Sequence, residues 1–213
     1  MPSAAARVLP VAAGLALVAA PVLWSLGMVT SPPQDSMADA DYITSLARDT
    51  TLTQASALFL HYGNLAIALG VLAAPALVRG ARGAWATVVG TLLTCLGFAN
   101  LSGMLLSDWF NASAGRALPL EQAVEVFRGV KEASMIWMWD GTEPLSLIGP
   151  LVLLVGLARA GVLGWWTIGL LAAGVVGIMV FAASAPVVIG AVVLVAFSPF
   201  ALVGARVLGR TRL

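Results

Sequence analysis

The chain has 213 residues, 60% of them apolar and 10% charged, with a net charge of +1. Soluble domains are roughly 45–50% apolar and about 25% charged, and a soluble protein this apolar would expose aggregating patches, so a water-soluble globular domain is excluded and lipid is the solvent that suits the composition. The near-zero net charge implies no polyanionic partner such as nucleic acid, and a single cysteine, Cys95, excludes an internal disulfide.

A spanning helix needs about 20 consecutive apolar residues. The first such run is residues 8–29, too long for a signal-peptide core and read as a retained first span. Residues 30–51 are polar, with Pro32, Pro33 and four aspartates, and hold one short helix near 39–47. The second span is 52–78, followed by a tight basic turn through Arg79, Gly80, Ala81, Arg82 and Gly83. The third is 84–107, where Gly83, Gly90 and Gly97 recur every seven residues and offer a small-residue face for close helix approach. A polar segment, 108–140, contains a stretch at 119–134 with helical periodicity. There Leu120, Ala123, Val124, Phe127 and Val130 share one face, while Glu121, Glu125, Arg128 and Glu132 share the other. Pro119 fits a first turn, and Arg128 and Glu132 are spaced for an i,i+4 pair. This predicts an amphipathic helix on the membrane surface or over the bundle, either an anchor or a lid. The remaining spans are 141–157, 162–183 and 187–208. No segment alternates with period two, which excludes a barrel. The prediction is an all-α, polytopic bundle of six transmembrane helices forming one integral membrane domain over residues 1–213.

The charges sort under this layout. Arg7, Arg79, Arg82, Arg159, Arg206, Arg210 and Arg212 fall on one side, and all ten acidic residues fall on the other with Arg48, Arg116, Arg128 and Lys131. Basic residues in short loops mark the cytoplasmic face, so both termini are expected inside and both long loops outside. Trp24, Trp109, Trp137 and Trp139 near the outer ends, and Trp85, Trp165 and Trp166 near the inner ends, read as interfacial belts.

Polar side chains at membrane depth are costly and face a bundle interior or a cavity. On the second span His61 and Asn64 share a face, and His61 lies about 12 Å below the outer end at 1.5 Å per residue. Asn100 on the third span reaches a similar depth, about 10 Å down. Asp108 closes the third span, and Asp140 and Glu143 open the fourth at a Pro144 turn. The six residues His61, Asn64, Asn100, Asp108, Asp140 and Glu143 are therefore the candidate ligand-binding set. A histidine with carboxylates at one depth can relay protons or hold a polar head group. Each also has a plain structural reading: cross-helix hydrogen bonds for His61, Asn64 and Asn100, an N-cap for Asp140 and a solvated charge for Glu143. No cofactor and no metal site is expected: a single histidine excludes bis-histidine haem, and paired-ligand motifs are missing.

The Ala/Val/Leu/Gly background, the first-span exit Leu26-Gly27-Met28 running to Pro32-Pro33, the 42–50 segment and the position of His61 resemble small multi-pass membrane proteins of actinobacteria. The resemblance covers residues 8–89 and implies a bacterial plasma membrane; that family supplies no activity to carry over. Three functions stand open. The first is binding or transport of a small amphiphilic molecule through an outer-half cavity, with the 119–134 helix as gate. The second is an accessory subunit packing on a larger membrane complex through its fifth and sixth helices. The third is an enzyme acting on a lipid or isoprenoid, with His61 and Glu143 or Asp140 as acid and base; it ranks last because no carboxylate lies deep in a span.

Overall fold

The computed structural model describes residues 4–181 and 184–211, with side chains from residue 8 onward. The Arg7 side chain, Ala183 at the end of the expected fifth span, and Arg212 lie outside the described residues. In chain order the helices are α1 (Ala4–Thr30), α2 (Asp39–Arg48), α3 (Thr50–Gly70) continued by a 3-10 segment (Val71–Leu77), α4 (Ala84–Met104), α5 (Leu106–Ala117), α6 (Leu120–Lys131), α7 (Ile136–Asp140), α8 (Leu145–Arg159), α9 (Trp166–Val180) and α10 (Pro186–Thr211). No strand occurs among the described residues, and the chain is an all-α bundle.

Five stretches are long and apolar enough to cross a membrane: Val8–Thr30, Thr50–Leu77, Ala84–Ala117, Ile136–Arg159 and Pro186–Thr211. They cover the first four and the sixth expected spans. The fifth expected span holds α9, whose 15 residues extend about 22 Å at 1.5 Å each, against a hydrocarbon core of about 30 Å. The opposite mismatch affects α4 and α5: their 34-residue stretch covers about 51 Å, so its far end must project beyond hydrocarbon.

The breaks follow local chemistry. Asp49 caps α3, its carboxylate accepting from the backbone N–H groups of Thr51 and Leu52 at 3.0 Å each. Gly80 and Gly83, at φ of 90° and 79°, turn the chain between α3 and α4 in a conformation that side chains resist. In α10, Pro199 removes the donor that would bond the Val195 carbonyl. The Ser198 hydroxyl donates to that carbonyl at 2.7 Å, restoring a partner where lipid offers none.

Packing places α1 between α10 and α3, and α4 between α3 and α8. The α4–α8 seam is backbone on backbone. A Cβ on Gly90 would lie 2.1 Å from the Leu153 nitrogen, one on Gly97 2.3 Å from the Ser146 nitrogen, and one on Gly149 2.3 Å from the Thr94 nitrogen. The seven-residue glycine repeat of α4 thus meets its counterpart, Gly149 and Gly156, on α8. Leu17, Ile67, Val71, Leu153 and Val203 fill the core. Phe98, Phe197 and Phe200 cross edge to face there, with centroids 5.8–6.0 Å apart.

The two ends of the bundle differ in charge, as the antiparallel helix order requires. Arg79, Arg82, Arg159, Arg206 and Arg210 lie at the basic end, where the Arg210 guanidinium donates to the Ala76 carbonyl and, at 2.6 Å, to that of Leu77. The acidic end carries a cap made of α2, α5 and α6 around its own small core of Ile43, Ala123 and Val124. Arg128 does not pair with Glu132: α6 stops at Lys131, which leaves Glu132 outside the helix, and the Arg128 Nε instead meets Asp39 at 2.7 Å, tying α6 to α2.

Candidate functional site

Two cavities lie at the acidic end, on either side of Leu105, the joint between α4 and α5 and the residue that lines both. The first has a volume of about 220 Å³ and lies among α1, α3 and α4 beneath the cap. Its walls are Leu60, Leu101 and Met104, with Trp24 and Asn64 inside and Tyr42, Ser107 and Asp108 on the cap side.

Trp24 is held edge to face against Phe98 and Phe197, at centroid distances of 6.2 and 5.0 Å. Gly63 makes room for it: a Cβ there would stand 2.8 Å from Trp24 Cδ1. The indole Nε1 bonded to that carbon therefore sits beside the turn of α3 that carries Asn64. Asn64 is 1% exposed. Its Oδ1 and the Trp24 N–H are both buried without a hydrogen-bond partner. An unpaired buried donor or acceptor costs about 1–3 kcal/mol. On the cap side the Tyr42 hydroxyl donates to the Asp108 carboxylate at 2.5 Å. Burial, then the adjacent Asp108 charge, push the Tyr42 hydroxyl well above the ordinary tyrosine range, so it stays a donor.

The second cavity, about 280 Å³, lies among α3, α4 and α5 and is lined by Leu58, His61, Ser102, Leu106 and Trp109 among others. Ser102 Oγ and His61 Nδ1 are 2.8 Å apart, joining α4 to α3. The Trp109 indole N–H is buried and has no partner. Leu58 and Leu106 are 44% and 55% exposed, so the rim of this cavity is apolar.

The six sequence candidates do not form one cluster. Asn64 and Asp108 line the first cavity and His61 the second. Asn100 faces away, donating to the Trp139 carbonyl at 3.0 Å. Residue 100 stands about 200° around the helix from residue 102, so Asn100 cannot reach the side that meets His61. Asp140 and Glu143 are exposed, line neither cavity, and lend α8 no side-chain cap. No lysine or arginine lines either cavity, and no group of three metal-ligating side chains occurs among the described residues.

No family model, no curated protein and no solved structure matches this chain. The cavities are thus read from their own residues, and five of those escape the sequence reading: Trp24, Tyr42, Ser102, Leu105 and Trp109. The sequence held a signal for one of them. Thr87, Thr91, Thr94, Phe98 and Ser102 recur at steps of three and four, a buried face of α4 that is polar at all but Phe98. Trp24 and Trp109 read as belt residues because nothing in sequence tells an anchoring indole from one whose N–H is turned inward.

Proposed function

We propose that this chain is a multi-pass membrane protein that binds a small amphiphile carrying a neutral hydroxyl group in the cavity beneath the α2–α5–α6 cap. The observation that carries the reading is that two residues lining that cavity, Trp24 and Asn64, each hold a buried, unpartnered polar atom, of opposite type: the Trp24 N–H and Asn64 Oδ1. A hydroxyl both donates and accepts, so its chemistry suits both kinds of atom. The apolar walls suit a hydrocarbon body. With Asp108 alongside and no cation in the lining, an anionic head is disfavoured. The positive-inside rule orients the basic end to the cytoplasm of a bacterial plasma membrane and the cap outward, so the ligand is received from the outer leaflet.

The test uses protein with ¹⁵N-labelled tryptophan in nanodiscs, with the Trp24 indole resonance assigned from Trp24→Phe. 1-Dodecanol is expected to shift that resonance saturably and tridecane is not. In Asn64→Leu the dodecanol affinity is expected to fall about tenfold, the worth of one hydrogen bond. Equal responses to alcohol and alkane overturn the reading.

A second reading, an accessory subunit, has one observation in its favour. Val176, Met179 and Val180 of α9 are 58–70% exposed, an apolar face that lipid or a partner helix covers. Co-purification of a stoichiometric membrane partner, lost in Val176→Trp, would move the weight to that reading.

A further inference from the structure

The net charge of +1 conceals a segregation. All ten acidic side chains lie toward the capped end, and both ion pairs among the described residues, Arg48–Asp35 and Arg128–Asp39, are made there. At the other end Arg79, Arg82 and Arg159 are exposed, and among the described residues no carboxylate pairs with them. We propose that this end binds the headgroup of an anionic phospholipid, with its phosphodiester held between Arg82 and Arg159.

The backbone brings these two arginines together. Gly83 turns the chain into α4 at a φ of 79° and lies against the end of α8. A Cβ there would stand 2.2 Å from the Gly156 carbonyl oxygen and 3.0 Å from the Ala160 nitrogen. Arg82 precedes Gly83 and Arg159 precedes Ala160. With neighbouring Cα atoms 3.8 Å apart, the Cα atoms of Arg82 and Arg159 are separated by about 11 Å at most. Both side chains are exposed and free of carboxylate partners, so both guanidinium groups can turn onto one phosphodiester. Each presents a planar fork of donors matched to phosphate oxygens. Arg79, in the same turn, adds a third charge. Arg210 is committed elsewhere, to the carbonyls of Ala76 and Leu77.

Depth favours a lipid over a soluble anion. Arg159 ends the apolar stretch Ile136–Arg159, and the 79–83 turn lies between Thr50–Leu77 and Ala84–Ala117. Trp85 follows Arg82 by three residues, and Trp165 and Trp166 follow Arg159 where α9 begins. All three are exposed, and exposed tryptophans at span ends mark the level of the headgroups. A phosphate at that level meets the guanidinium groups while its acyl chains run along Val88, Val89 and Leu92, exposed on α4. Basic sites between spanning helices hold anionic headgroups in this way. The inference is independent of the cavity ligand and of which leaflet the basic end faces.

The test is native mass spectrometry of the full chain, delipidated in detergent and titrated with dioleoyl phosphatidylglycerol or dioleoyl phosphatidylcholine. Phosphatidylglycerol is expected to bind saturably. Phosphatidylcholine, whose choline cation opposes the arginines, is expected to bind about fivefold more weakly or worse. Arg82→Gln and Arg159→Gln should each weaken phosphatidylglycerol about fivefold, the worth of one arginine at the membrane surface, and leave phosphatidylcholine unchanged. Arg206→Gln removes the same charge from α10, which packs chiefly on α1 and α9, and should leave phosphatidylglycerol binding unchanged. Equal affinity for the two lipids overturns the inference without recourse to any variant. Equal weakening by all three substitutions overturns it too, because it would mean a diffuse basic surface and no site. Glycerol 3-phosphate binding as tightly as phosphatidylglycerol would make the ligand a soluble phosphate and overturn the assignment to lipid.

Discussion

Replacing Gly90 by alanine adds one methyl group at the tightest point of the α4–α8 seam. The new Cβ would stand 2.1 Å from the nitrogen and 2.5 Å from the Cα of Leu153, and 2.7 Å from the carbonyl carbon of Val152. All three atoms are backbone, so no rotamer change makes room. To restore ordinary contact at 3.4 Å, the helices must part by about 1.3 Å there. A gap of 0.5–1 Å already forfeits a quarter to a half of the dispersion well. The loss is shared along the seam, because Gly83, Gly97, Gly149 and Gly156 are interlocked in the same way. Overpacking a core costs about 1–3 kcal/mol, and Gly90→Ala is expected at or above the upper end, about 3 kcal/mol. Two positions calibrate it. At Gly177 a Cβ would touch only Val192 Cγ1, at 3.0 Å, a side-chain atom able to give way; about 1 kcal/mol or less is expected. At Gly169 nothing lies within 4 Å, and alanine should be neutral or stabilising by up to about 1 kcal/mol through helix propensity. The assay is unfolding in mixed micelles by SDS titration, followed by circular dichroism. A Gly90→Ala protein within 0.5 kcal/mol of wild type, or equal losses at residues 90 and 177, would refute the reasoning.

Ser198→Ala leaves the Val195 carbonyl without its donor next to Pro199 and is expected to cost about 1 kcal/mol in the same titration; Ser198→Thr, which keeps the hydroxyl, should recover most of it. With Tyr62→Phe leaving Tyr42 as the only tyrosine, absorbance at 295 nm should show no tyrosinate in the folded protein through the range where a free tyrosine, near pH 10, ionises. The folded-state value is raised, so this contribution to stability is fully present below about pH 10 and is lost as pH rises toward the folded value. Asp108→Asn removes a neighbouring charge and should bring the titration down, whereas no change would deny Asp108 that role. For orientation, Gly129→Cys on α6 and Ala81→Cys in the basic turn, each in a Cys95→Ser background, are expected to react and not to react, respectively, with a membrane-impermeant maleimide on intact cells. The reverse pattern would invert the proposed topology.

The apolar runs announce the long helices because their lengths exceed what a soluble core asks of a helix, and the charges punctuate them. What composition could not show is where a run stops being membrane. The α4 run passes through Leu105 into α5 with a single residue between the helices, and 108–118 reads as loop only because its polar residues break the apolar pattern. The cap on which α6 sits was equally hidden, since the Ala123–Val124 face meets Ile43, some eighty positions away in the chain. At the candidate site, depth was legible and azimuth was not. His61 and Asn100 reach similar depths, yet a rotation of about 200° between residues 100 and 102 turns Asn100 toward Trp139 and leaves Ser102 for His61. Asn64, three residues after His61, lies about 60° away around α3 and opens on the other cavity.

The pairing of α1 with α10 also has a meaning in time. Gly14 lies against Leu208 and Gly204, and a Cβ on Gly204 would stand 2.5 Å from the Gly14 carbonyl oxygen, so these helices are built for each other. At a translation rate of about 5–20 residues per second, the chain between them takes on the order of ten to thirty seconds to emerge. For that interval α1 lies in the bilayer with a notched, lipid-bathed flank. The α4–α8 seam closes earlier, once α8 has emerged. The α1–α10 seam therefore closes after the α4–α8 seam, and in the interval the notched face of α1 has no matching helix.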